Sequence, residues 1–244
     1  MVTRPKLPRC IKAWISQRTT DMSLSAKQVG RLKPILFLLG LLPIVRWVWL
    51  GINDDLTANP VEFLTRSAGT WTLVCLLVTL SITPVRQVFQ QPALVRLRRL
   101  CGLFAFFYCT LHMLAWSGWD QGFDLTDMLT DIAKRPFILV GMVAFLTMTA
   151  LAITSNQFSM KRLGKRWQRL HQLVYLIGCL AILHYWWHKA GKHNFQEVSI
   201  YAGVLFLLLA WRFVRWGRQK FSPVPAVGNA NKRAAVSASG NPDT

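Results

Sequence analysis

Apolar residues gather along the chain in six blocks, Pro34–Leu50, Ser67–Thr83, Leu100–Trp119, Pro136–Thr154, His171–Trp187 and Val198–Trp216, separated by short charge-bearing stretches. Each block holds roughly 17 to 20 residues, the length a helix needs to cross a bilayer core at about 1.5 Å per residue. In hydrocarbon every backbone N–H and C=O must find its partner within the segment, so each block is expected to be an α-helix. No period-two alternation supports a barrel. The expected fold is all-α, a polytopic membrane protein with six transmembrane helices over residues 34–217. A basic tail is expected over 1–33, and a disordered tail rich in Pro, Ala, Ser and Asn over 218–244. No internal repeat and no second soluble domain is visible. The first block contains Arg46 and has no small-residue cleavage site, so it reads as a retained helix rather than a signal peptide.

Charge adds a direction. Of the 29 Lys and Arg, 23 fall in the N-terminal tail, in 83–101, in 156–170 and after residue 211, all on one side of a six-crossing bundle. The other side holds eight of the ten acids, including Asp120, Asp124, Asp127 and Asp131. By the positive-inside rule both termini are expected in the cytoplasm. Trp47, Trp49, Trp116, Trp119, Trp186 and Trp187 then sit at outer helix ends, the depth where an apolar ring can keep its N–H wet. The net charge of +19 is thus accounted for by topology, with membrane lipids as the neighbours and no nucleic-acid partner.

The chemistry available is narrow. The five cysteines, Cys10, Cys75, Cys101, Cys109 and Cys179, form no C-x-x-C pair, and no G-x-G-x-x-G, P-loop or H-E-x-x-H motif is present. Five histidines remain. An ionisable side chain at membrane depth is costly and marks a functional position by default. His112 lies 13 residues beyond Arg99, about 20 Å into the bilayer, and His184 lies 15 residues beyond Arg169, about 22 Å in. Two imidazoles on different helices at one depth are what the two axial positions of a six-coordinate haem iron require. A lone intrahelical histidine can also simply hydrogen-bond a neighbouring helix. His171, beside Arg166 and Arg169, reads on its own as interfacial or as a partner for an anionic group. His188 shares a helix face with His184, but with Lys189, Lys192 and His193 it is assigned to the wet outer end. Phe104, Phe106, Phe107 and Leu183 are expected to keep water from an iron, and Arg46, Arg98, Arg99 or Arg169 to pair with haem propionates. The acidic stretch Asp120–Asp131 is a candidate docking surface.

The stretches LVTLSITPVR (77–86), RRLCGLFAFFYCTLH (98–112), KRPFILVGM (134–142), LAITS (151–155) and LGKRWQRLHQLVYL (163–176) resemble a known family. It is the haem-binding membrane subunit of the bacterial periplasmic protein-methionine-sulfoxide reductase system, within the ferric-reductase-like transmembrane superfamily. The resemblance implies a multi-pass inner-membrane protein carrying haem b. It also implies electrons taken from quinones or a cytosolic flavin reductase, with FMN binding proposed for family members. The acceptor would be a periplasmic molybdenum-cofactor methionine-sulfoxide reductase that repairs oxidised proteins. The family's histidines correspond to His112, His171 and His184. The superfamily's eukaryotic oxidases carry two histidines on each of two helices. Here Arg98 occupies the place of the second one on the third helix, although Cys101 lies at a plausible depth. One haem is therefore expected at His112 and His184, and a second at His171 is left open. The chain has no room for a flavin and nicotinamide domain, so its donor is expected to be separate. Two other functions stay open at this point: a transmembrane ferric or other metal reductase, and a haem-free transporter in which the histidines relay protons.

Overall fold

The computed structural model describes residues 25–190 and 195–221. Most of both expected tails, together with Lys192 and His193, lies outside the described residues. The described chain is helical, with no strand. The first long helix, α1 (Ala26–Ile52), begins before its apolar block because Ser25 and Gln28 form a reciprocal capping box. Helix α2 (Pro60–Val88) starts at Asn59, whose side chain accepts from the Glu62 N–H, and proline fills the first helical position. A 3-10 turn, Pro92–Leu97, leads into α3 (Arg98–Ala115), and a π-helical turn, Trp116–Asp120, ends it.

Three short helices lie between the long ones. Asp124 caps α4 (Leu125–Lys134) through the N–H groups of Thr126 and Asp127. Helix α5 (Pro136–Ile153) follows with proline first. Asn156 caps α6 (Gln157–Leu163), which turns at Gly164 into α7 (Lys165–His171). Helices α8 (Val174–Ala190) and α9 (Gln196–Phe221) complete the described chain. Six segments are long and apolar enough to cross a membrane: Lys27–Ile52, Pro60–Val88, Pro92–Asp120, Pro136–Ile153, Lys165–Ala190 and Gln196–Arg218.

The residues up to Leu209 form one unit. Its core gathers Leu73, Leu76, Leu77 and Leu80 of α2 with Ala105 of α3, Met148 and Leu151 of α5, Ile177 of α8 and Leu205 of α9. Helix α2 packs most extensively along α3, and α5 along α8, giving two hairpin-like pairs. Outside this core, Leu38, Ile52, Leu146 and Phe206 are exposed, a surface suited to lipid rather than water. The described residues from Ala210 to Phe221, the end of α9, belong to a second unit, in which the rings of Phe213 and Trp216 lie 6.2 Å apart.

Candidate functional site

Helix α3 carries His112 and helix α8 carries His184, and the fold brings their rings together. Their centroids are 6.1 Å apart and their planes are inclined at 82°. Both are part-buried, and each commits one nitrogen to main chain. His112 Nδ1 lies 2.8 Å from the carbonyl oxygen of Thr65 on α2, and His184 Nδ1 lies 2.6 Å from that of Phe137 on α5. A carbonyl only accepts, so each Nδ1 must carry the proton, and each Nε2 keeps its lone pair. Metal-bound histidines are arranged in this way, with the outer N–H given to a carbonyl that fixes tautomer and ring orientation.

The spacing fits a shared iron. A metal–imidazole bond is about 2.0–2.1 Å, and the ring centroid lies roughly 1.1 Å behind the nitrogen, so two axial imidazoles have centroids about 6 Å apart. The observed 6.1 Å matches that separation. Among the described residues no group of three or more His, Cys, Asp or Glu is placed to hold a metal ion, so a carboxylate or thiolate metal cage is not formed here.

The surroundings differ in part from the sequence expectation. Phe106 stacks on Phe145 at 6.3 Å, but Phe104 is buried against Phe37 and Gly40 of α1, and Phe107 and Leu183 are 38% and 39% exposed. A helix only 17 to 18 residues long still presents all its faces, and reading along the sequence does not say which one meets a neighbour. His188 is not confined to a wet end either. Its ring lies 5.8 Å from that of Phe137, the same ring that lies 5.8 Å from His184. Four residues along a helix restore nearly the same facing direction, so His188 follows His184 inward.

His171 is engaged elsewhere. Its ring stacks on Trp167 at 4.0 Å, Nδ1 is 3.2 Å from the Trp167 carbonyl, and Nε2 is 3.3 Å from Ser155 Oγ. Trp167 is itself anchored through Nε1 to the Thr154 carbonyl. Arg98, which stands where the wider superfamily has a second α3 histidine, lies close enough to interact electrostatically with His171. Arg46 lies 6.0 Å from the Phe63 ring. In the acidic stretch, Asp131 accepts from Trp116 Nε1, Gln121 Nε2 and Arg135, and Asp124 caps α4. Those two carboxylates serve the loop's own architecture.

The sequence reading missed Thr65, Phe137, Gly69 and Gly141. Glycine stands four residues after the carbonyl acceptor in both helices, and each histidine follows its acceptor by 47 residues. The α2/α3 and α5/α8 pairs thus share a main-chain carbonyl acceptor, a glycine and a histidine at the same offsets. Aligning the chain against itself on the two histidines would have exposed the shared glycine.

Comparison with known proteins now adds to the geometry. Residues 68–182 match the family described as ferric reductase like transmembrane component. The chain is 64% identical, over 197 residues, to the protein-methionine-sulfoxide reductase heme-binding subunit MsrQ of Bordetella pertussis, covering 81% of this chain and 96% of the relative. The chain belongs to this family. The subunit of the same description from Ralstonia nicotianae is 51% identical over 209 residues, covering 83% and 96%. That from Xanthomonas euvesicatoria is 46% identical over 165 residues, covering 68% and 75%. No solved structure matches the chain. The family match runs from Ala68 in α2 to Ile182 in α8 and so takes in His112, Gly69, Gly141 and Phe137, stopping just short of His184.

Proposed function

We propose that the chain is a transmembrane electron-transfer subunit that holds a b-type haem between His112 and His184. The reading is carried by one observation: two imidazoles 6.1 Å apart, each with Nδ1 committed to a main-chain carbonyl on a different helix. Haem bound there supplies one-electron carriage, so the two electrons of a sulfoxide reduction pass singly. The protein's part is to bind, orient and shield. Thr65 and Phe137 hold the ring planes and make each Nε2 the better donor. The stacked rings of Phe106 and Phe145 add apolar packing between α3 and α5, the helices that carry His112 and the Phe137 acceptor.

The relatives are described as heme-binding subunits of protein-methionine-sulfoxide reductase, which supports such a reductase as the acceptor. In this proposal the chain lies in the bacterial inner membrane with both termini cytoplasmic. The acceptor is a periplasmic molybdenum-cofactor subunit, the donor is the quinone pool or a cytosolic flavin reductase, and FMN is a further cofactor that the resemblance brings. His171 enters through the resemblance, and a second haem there would need iron to replace Ser155 at its Nε2.

The test is an absorption spectrum of purified protein, oxidised and dithionite-reduced, with haem counted per chain. Wild type is expected to show b-type bands that are lost in His112→Ala and His184→Ala. Half the haem lost in His171→Ala marks a second haem, and unchanged content marks one. Absence of haem from wild type expressed with ample haem overturns the proposal in favour of a haem-free transporter. Reconstitution then distinguishes a sulfoxide reductase partner from a metal-ion acceptor, by which of the two reoxidises the reduced protein.

A further inference from the structure

A helix carbonyl is ordinarily screened from neighbouring helices. A helical side chain leans toward the N-terminus and lies over the turn before its own Cα, so residue i+4 covers the carbonyl of residue i. A ring on another helix reaches that oxygen only where the covering side chain is missing. The carbonyl already accepts its own helix's N–H and offers its second lone pair to the newcomer. At both candidate ligands the covering residue is glycine: Gly69 over Thr65, and Gly141 over Phe137.

We propose that Gly69 and Gly141 are positioning residues that open a main-chain carbonyl to each axial imidazole and so set both rings' orientation toward the haem. The inference rests on His112 and His184 being the ligands. A Cβ at Gly141 would lie 2.8 Å from His184 Nδ1 and 2.9 Å from its Cε1. A Cβ at Gly69 would lie 3.2 Å from the same two atoms of His112. Real Cβ atoms do not come as close as the first pair, and the ring has no soft direction to yield, being held by its carbonyl on one nitrogen and by the iron on the other. Alanine therefore pushes the imidazole off the carbonyl, tilts its plane and lengthens its reach to the iron. The closer contact makes Gly141 the more demanding of the two. The arrangement occurs twice in one molecule, on α2 for α3 and on α5 for α8, with the same four-residue offset. A glycine that merely let two helices approach would not need to lie one turn beyond the imidazole's acceptor in both pairs.

Full-length protein is purified with haem as wild type, Gly69→Ala, Gly141→Ala and, as control, Gly203→Ala, where a Cβ meets nothing within 4 Å. At matched haem content two signatures are read: the g values of the low-spin ferric protein, which report the angle between axial imidazole planes, and carbon monoxide binding by the reduced protein, which reports a released ligand. Gly203→Ala is expected to match wild type. Gly69→Ala and Gly141→Ala are expected to shift the g values, with a larger carbon monoxide-reactive fraction in Gly141→Ala. Wild-type g values and no carbon monoxide binding in both variants overturn the inference, whatever happens to their thermal stability, because packing would then be the glycines' whole role. Should Gly141→Ala fail to fold, Gly69→Ala decides by the same readings. Wild type without haem is a different failure: it overturns the ligand assignment, and the inference falls with it.

Discussion

Tyr108 shows how much one hydroxyl carries. It is fully buried on α3, and its O–H donates to the Gly40 carbonyl on α1 at 2.5 Å. Gly40 permits the approach, because a Cβ there would meet the Phe104 ring at 2.6 Å. The Gly40 carbonyl takes this outside donor on its second lone pair. Trp47 adds a second tie, Nε1 to Ser67 Oγ at 3.0 Å, and its ring meets Tyr108 edge-on at 5.9 Å. Removing the hydroxyl leaves the cavity shape almost intact and costs the hydrogen bond. Tyr108→Phe is expected to lower stability by about 1–3 kcal/mol. A fall in the thermal unfolding midpoint in detergent, with unchanged haem bands, checks this. An unchanged midpoint would mean α1 does not depend on that bond.

Among the elements, the α6–α7 turn has the tightest backbone demand. Gly164 adopts φ +50° and ψ −119°, a combination that L side chains rarely reach. It ends α6 and aims α7 so that Trp167 meets the Thr154 carbonyl at the end of α5 and His171 meets Ser155. Gly164→Ala is expected to cost roughly 1–3 kcal/mol of backbone strain and to loosen the Trp167–His171 stack. The thermal midpoint reads the first effect, and Trp167 fluorescence, with the other tryptophans as constant background, reads the second. A stable variant with an unaltered emission would show that the turn tolerates another conformation. The α3–α5 connection works differently. There Asp131 gathers three donors, and Phe123 together with Leu125 and Leu129 of α4 is exposed.

At the scale of the whole molecule, the asymmetry of charge predicts orientation. Moving the basic segments across the bilayer would carry many cations through hydrocarbon, so they are expected to stay on the cytoplasmic side. Alkaline phosphatase fused after Asp124 is expected to be active, and green fluorescent protein fused after Thr244 to fluoresce. Both results reversed would invert the topology and place the His112–His184 pair nearer the inner face. At the same scale the two hairpin-like pairs bring α3 and α8 together, although their histidines are 72 residues apart in the chain.

By itself the sequence determined the number of crossings, their helical nature, the charge asymmetry and the two histidines at one depth. The reason is that a bilayer reads composition and length one segment at a time, with little regard to neighbours. Helix termini were not read from the apolar blocks, since Ser25 and Asn59 start their helices several residues before the apolar run begins. Only the tertiary structure decided which faces meet. It brought His112 and His184 to 6.1 Å, turned His171 to Ser155, and drew His188 in against Phe137. It also picked Thr65 and Phe137 as acceptors through their carbonyls. Every residue has a carbonyl, so no side-chain pattern could announce that role. Glycine's role there was hidden too, because what Gly69 and Gly141 contribute is an absence, and it has meaning only once another helix is packed against it.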